Sequence, residues 1–170
     1  MCDDKTRIKE NVMNIKTVLA LVISCIAYFT LISPSYSADS KIHPGSMCKA
    51  YFGSDESSLR KGLGSVKNTT TSAVWVTCPI VRDNTTNTNG LSQAYIRIGR
   101  SSTATAEFWC TLDSRNTVGT QSFFATNSYS GTSTTSMSFN LSGSTNRGHY
   151  EILCRLPRDS NIFSYRIDEF

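Results

Sequence analysis

Histidine is almost missing from this chain of 170 residues, which holds two, and charge is thin, with 18% Asp, Glu, Lys or Arg. A Ser/His/Asp hydrolase would have to recruit His43 or His149 across the fold, and no Gly-x-Ser-x-Gly is present to mark its nucleophile. No Cys-x-x-Cys occurs, so neither a zinc site nor any other metal is expected. Asn87-Thr-Asn89-Gly90 has a fragment of calcium-loop chemistry, but the first and twelfth positions of such a loop fall on Thr85 and Ile96, without the acids it needs. Dense Lys/Arg clusters are also lacking beyond the N-terminal region, where only Arg60 and Lys61 are adjacent, so nucleic acid is not an expected partner. No cofactor is implied, no stretch has the period of an amphipathic helix, and no internal repeat recurs at a fixed spacing.

What is present begins with a leader. Residues 17–32 form 16 positions without a charge, preceded by Lys16 and followed by Ser-Pro-Ser-Tyr-Ser-Ala. A positive start, an apolar middle and a small-residue exit describe a secretory signal peptide. Ser35 and Ser37 fill the −3 and −1 places for cleavage before Ala38. Residues 1–37 therefore read as a signal peptide with an extended charged n-region, and Met13 is an alternative start. Val22-Ile-Ser-Cys25 resembles a lipoprotein box, but the chain stays apolar after Cys25, which disfavours acylation there. The apolar run is shorter than the about 20 residues a membrane span needs, so no span is expected in the mature form.

Residues 38–170 are enough for one domain with a real core, and they carry 13 Lys and Arg against 10 Asp and Glu. Four cysteines remain there: Cys48, Cys78, Cys110 and Cys154. An even number in an exported chain implies disulfides, and four cysteines allow three pairings. Cys48–Cys78 with Cys110–Cys154 is the expected pair, and the compartment is secreted or periplasmic.

The domain is organised around Ala73–Asp83. Val74, Val76 and Cys78 alternate with Trp75 and Thr77, the period of a half-buried strand that Pro79 is expected to end or kink. Trp75 is assigned to the core, and Arg82 with Asp83 to an ion pair clamping the strand end. Cys48–Phe52 is a short strand with Ala50 and Phe52 on the cysteine's face, after an extended lead-in, and residues 57–62 are a helical turn or a loop. Further strands are expected over Ser92–Gly99, Ala104–Leu112, Val118–Ala125, Ser136–Ser142, Tyr150–Leu156 and Asn161–Ile167, with Asn89-Gly90 as a turn and 127–135 as a loop. In the last strand Phe163, Tyr165 and Ile167 share a face. About eight short strands with turn signals imply an all-β, antiparallel two-sheet β-sandwich of jelly-roll or Greek-key connectivity with two disulfides.

Cys78-Pro-Ile-Val-Arg-Asp83, Cys154-Arg-Leu-Pro157 and Ser164-Tyr-Arg-Ile-Asp-Glu169 together resemble a group of small exported bacterial four-cysteine proteins of unassigned function. The resemblance implies export, disulfides and a bacterial source, and it carries over no activity.

The main functional expectation is a non-enzymatic structural or interaction module, with a glycan or an envelope protein as partner. Its alternative is a carbohydrate-binding module in which Trp109, Tyr95 and Tyr129 present rings to a ligand. A second alternative is a small cell-wall or glycan hydrolase using Glu107 or Glu151 as an acid pair. Asn68, Asn84 and Asn140 each begin an Asn-x-Ser/Thr triplet.

Overall fold

Side chains that alternate in and out along nearly every strand leave two sheets with one apolar face each, and the structure closes those faces on one another. The computed structural model describes residues 39–82, 91–104, 106–141, 143 and 148–169. The expected leader, Asp83 and the Asn89-Gly90 turn lie outside the described residues.

Eleven strands are described: β1 (Asp39–Pro44), β2 (Lys49–Ala50), β3 (Leu59–Lys61), β4 (Val66–Asn68), β5 (Val74–Ile80), β6 (Leu91–Gly99), β7 (Phe108–Arg115), β8 (Gln121–Tyr129), β9 (Thr134–Phe139), β10 (His149–Leu156) and β11 (Asn161–Glu169). A six-stranded sheet runs β3-β4-β11-β6-β9, with β1 also paired to β11, and a five-stranded sheet runs β2-β5-β10-β7-β8. Every described pairing is antiparallel. Sequence neighbours repeatedly fall in opposite sheets, the crossing pattern of a jelly roll. Among the described residues no helix is long and apolar enough to cross a membrane.

The core is the alternation made physical. Val74, Val76 and Cys78 of β5, Ala94, Ile96 and Ile98 of β6, Phe108, Cys110 and Leu112 of β7, and Tyr150, Ile152, Cys154 and Leu156 of β10 are all buried. At about 25 cal/mol per Å2 of apolar surface, each large side chain there contributes on the order of 2 kcal/mol. Both expected disulfides form, Cys48–Cys78 and Cys110–Cys154. Cys110 and Cys154 are directly opposed across β7 and β10. Cys48 immediately precedes β2, whose register on β5 brings it beside Cys78. Both bonds are therefore stitches within the five-stranded sheet, facing the core, and neither joins the two sheets.

Several expectations need correction. β5 runs through Pro79 to Ile80, because β2 has ended before it and the missing N–H costs no ladder bond on that side. Trp75 sits on the outer face, since Val74 and Val76 take the inner one. Phe52 is 53% exposed, because β2 stops at Ala50 and the chain turns into a 3-10 segment over Gly53–Ser58. Residues 39–44, expected as a lead-in, are a full strand on β11. Gly45 follows it, where a Cβ would run into the carbonyl of Ile162. Val118 lies outside any strand in the β7–β8 turn, where the Asn116 side chain accepts from the N–H groups of Val118 and Thr120, and Gly119 takes φ 84°. β8 then extends to Tyr129, into the stretch expected as loop.

The sharpest correction is in β11. The register on β6 slips between Ile162 and Ser164, so one extra residue is accommodated and the alternation reverses. Ile162, Tyr165 and Ile167 are buried, while Phe163 is 38% exposed on the outer face.

The spaced motifs of the sequence meet across the sandwich. Tyr165 of β11 donates from Oη to the Pro79 carbonyl at 2.6 Å. Arg82 pairs with Glu169 at 3.6 Å and lies over the Tyr150 ring, which clamps the end of β5 to β11; the expected partner Asp83 lies outside the described residues. Asn68 is fully buried, donating to the carbonyls of Ser72 and Leu156 and accepting from Thr70. That triplet is a fold knot out of reach of a modifying enzyme, whereas Asn140 is exposed.

Candidate functional site

Each sheet turns one face outward, and the three aromatic residues singled out in the sequence are divided among different surfaces. Trp109 stands on the outer face of the five-stranded sheet. Tyr95 stands on the outer face of the six-stranded sheet. Tyr129 faces Phe108 across β7 and β8 on the inner side, half-buried against the core, with its hydroxyl 2.7 Å from that of Ser133. The three therefore do not form one platform. The alternation in each strand was readable, but the sheet to which each strand belongs was not.

On the outer face of the five-stranded sheet many groups are paired with one another, although Arg155 is exposed without an ion-pair or hydrogen-bond partner among the described residues and Phe124 is 63% exposed. Trp75, Arg155 and Trp109 are aligned across β5, β10 and β7, and the two indoles reach over β10 to meet edge to face at 5.4 Å and 89°. An edge-to-face pair spends ring surface on itself, so neither indole is a free flat platform. Along the same strands Glu151 accepts from the Thr77 hydroxyl at 2.7 Å and pairs with Arg115 at 2.9 Å. Arg115 also holds Asp113 at 2.9 Å, and Gln121 donates to that same carboxylate. Burial works against the Arg115 charge, but Glu151 and Asp113 beside it raise its pKa overall. Glu151 is opposite Asp113, six residues along β7 from Glu107. At about 3.4 Å per residue the two glutamates are about 20 Å apart, well beyond the spacing of a glycosidase acid pair. His43 stacks on Tyr165 at 5.0 Å.

The outer face of the six-stranded sheet is different in kind. Arg166 of β11 lies between Ile42 of β1 and Tyr95 of β6, with its guanidinium 4.4 Å above the tyrosine ring. Tyr95 in turn donates its hydroxyl to Gln93. In the next row Arg97 lies between Ser164 and Ser136. One row further, Phe163 is packed onto Gly99, where a Cβ would come within 2.7 Å of its ring. The absence of a side chain at Gly99 is thus what lets the bulged phenylalanine lie down on the sheet.

Two depressions open here. One, of about 180 Å3, is bounded by Ile42, Tyr95, Arg97, Ser136, Ser164 and Arg166. The other, of about 380 Å3, is bounded by Arg97, Thr134, Phe163 and Ser164. They share Arg97 and Ser164, which makes one groove with a stacked Arg166–Tyr95 pair at one end and Phe163 at the other. Arg97 is exposed and, among the described residues, has no ion-pair or hydrogen-bond partner. Such a groove supplies an aromatic ring, a row of hydroxyls and a free guanidinium, the equipment of a binding surface rather than of bond cleavage. Sequence reasoning found Tyr95 but missed Arg97 and Phe163. The outward position of Arg97 was legible from its alternation with Ile96 and Ile98, whereas Phe163 needed the bulge.

No protein-family model matches this sequence, and no curated protein matches it. Among solved structures, the chain is similar to the C-terminal CBM6 of LamC, a marine laminarinase from Zobellia galactanivorans, at TM-score 0.47 and 14% identity, covering 77% of this chain and 100% of that one. It is also similar to CsCBM6-3 from Clostridium stercorarium, solved with cellobiose, at TM-score 0.39 and 12% identity over 82% and 92% of the two chains. The family 11 carbohydrate-binding module of Lic26A-Cel5E from Clostridium thermocellum gives TM-score 0.35 and 12% identity over 82% and 89%. At these TM-scores no ligand or site residue transfers to this chain.

Proposed function

We propose that this chain is a non-catalytic, exported glycan-binding module whose ligand lies in the groove on the outer face of the six-stranded sheet. The observation that carries the reading is the pair of joined depressions at Arg97 and Ser164, walled by Phe163 and by the Arg166–Tyr95 stack. Sugars present apolar C–H faces to aromatic rings and hydroxyls to polar side chains, and this groove offers both along one line. Two fully buried disulfides fit an oxidising compartment, in keeping with removal of residues 1–37 during export.

The test is a screen of the purified protein against immobilised polysaccharides, followed by calorimetry on whatever binds. Phe163→Ala removes a half-buried ring outside the core and should weaken binding at least tenfold in a protein that stays folded by circular dichroism, with only a modest fall in melting temperature. A protein that retains none of the polysaccharides, or one whose binding survives Phe163→Ala untouched, removes this reading.

A further inference from the structure

The basic residues of the sequence are scattered singly, yet the fold collects four of them on one face. In the register of the six-stranded sheet, Arg60 of β3 opposes Lys67 of β4, and Lys67 opposes Asn161 of β11. Arg97 and Arg166 project from the same side of the neighbouring strands. Lys67 is held at 3.2 Å by Asp159, and Arg166 at 2.9 Å by Asp168. Arg60 and Arg97 have no acid partner among the described residues. A third depression, of about 160 Å3, opens on Arg60 and Lys67 beside Asn161. It lies on the same face as the groove at Arg97, displaced toward the β3 edge.

An arginine left without a partner at the centre of a groove remains charged at any working pH, and its planar fork suits carboxylate or sulfate oxygens. A neutral sugar would take hydrogen bonds from Arg97 but would leave its charge uncompensated. Ser136, Ser164 and Thr134 around it are polar without being acidic, so nothing in the groove repels an anion. Three strand spacings and a two-residue offset separate Arg60 from Arg97, about 16 Å. One monosaccharide does not bridge that distance, but an extended chain does.

We infer that the groove binds an acidic polysaccharide, a chain bearing carboxylate or sulfate groups, with Arg97 holding one anionic group beside Phe163 and Arg60 holding another further along. This rests on the glycan-binding reading and adds the charge of the ligand to it. Arg97 is the specificity-determining residue, and Phe163 is the part of the site indifferent to charge.

The experiment compares matched probes on the purified protein: polygalacturonate against its fully methyl-esterified form, and dextran sulfate against dextran. A single-stranded oligonucleotide serves as a polyanion without sugar rings exposed in the same way. The expected result is at least tenfold tighter binding of one charged probe than of its neutral partner, declining with added salt. Arg97→Gln should abolish that preference by bringing affinity for the charged probe down to that for its neutral partner, and Arg97→Lys should restore part of it. Arg97 is exposed, so both variants should melt with the wild type. Equal binding of charged and neutral members overturns the acidic assignment while the glycan-binding reading stands. Failure to bind any of the four polysaccharides, together with a blank general screen, removes both. Oligonucleotide binding as tight as that of the better charged glycan, insensitive to Phe163→Ala, also overturns the inference, by showing a surface for polyanions at large.

Discussion

The two outer faces of this sandwich are built from the same kind of sequence and do opposite things with it. Each shows alternating strands with an aromatic residue, hydroxyls and a few charges pointing away from the core. On the five-stranded sheet several of those groups meet one another: indole meets indole, and Arg115 is shared between Asp113 and Glu151, with Arg155 and Phe124 left exposed. On the six-stranded sheet a guanidinium covers Tyr95, Phe163 is lifted out by a bulge, and Arg97 has no counter-ion among the described residues. A face that closes on itself stabilises the fold, whereas one left with open valences is available to a ligand. Composition is almost silent on this distinction, which depends on which residues stand opposite each other across strands.

The largest expected effect tests how far the closed face and its sheet carry the stability of the molecule. Both disulfides stitch the five-stranded sheet, closing sequence separations of 30 and 44 residues. The chain-entropy estimate for such loops is about 3.5 to 4 kcal/mol each. Reduction in denaturant followed by refolding with thiols blocked should lower the melting temperature by well over 10 °C or leave the chain unfolded. Because all four sulfurs are buried, reductant alone should act slowly. A reduced protein melting within a few degrees of the oxidised one would show that the stitches are dispensable.

Next in size is Arg100, the contrast to Arg97 three residues away. Arg100 is 8% exposed and gives its guanidinium to the carbonyls of Ala104, Ala106, Ser130 and Gly131. It thereby ties the β6–β7 connection to the β8–β9 turn. Arg100→Met strips several acceptors of their donor at once, and a loss of about 3 kcal/mol follows from the cost of orphaned buried polar groups. Chemical denaturation should show this, and a loss below about 1 kcal/mol would mean water replaces the guanidinium. Arg97→Gln, by comparison, should leave the same curve unmoved.

Trp109→Ala sharpens the comparison between faces. Removing half of the indole pair should cost about 2 kcal/mol in stability, combining lost burial with the edge-to-face contact. Glycan affinity should remain within twofold, since Trp109 is on the face opposite the groove. If Trp109→Ala abolished binding in a protein still folded by circular dichroism, the assignment of the two faces would have to be exchanged.

The legible part of this molecule was the part that depends on period two. Inward residues of β5, β6, β7 and β10 were readable from alternation alone, as was the sandwich, whereas the disulfide pairing was one choice among three that the sequence does not separate. What escaped had three physical causes. β1, β3 and β4 are short or polar and hold their place by pairing with β11 and with each other, not by a pattern of their own. The bulge at Phe163 reverses one strand's phase, so a correct alternation gave the wrong face. Tyr95 and Trp109 alternate equally cleanly, and only sheet membership separates them. The groove was thus half visible: its tyrosine could be named, but not the arginine that gives it a charge preference.

The smallest effect separates the inner layer of the six-stranded sheet from its outer one. Beneath the groove His43 stacks on Tyr165, and burial together with nearby Lys41 lowers the histidine pKa from 6.5. Burial alone pushes the Tyr165 hydroxyl up from 10.0 to about 12. For His43 the unfolded chain binds the proton more readily, so its contribution is complete above pH 6.5 and declines as pH falls toward the folded value. For Tyr165 the folded state keeps its proton longer, so stability is intact below pH 10 and is lost as pH rises from 10 to 12. Melting temperature should therefore fall off on both sides of a plateau. His43→Gln should flatten the acid side and Tyr165→Phe the alkaline side, each against other groups that titrate there. His43 is not among the residues that bound the groove, so between pH 5 and 6.5 affinity for a carboxylated glycan should hold steady while stability declines. A parallel loss of both would show that the groove is coupled to the ring pair beneath it.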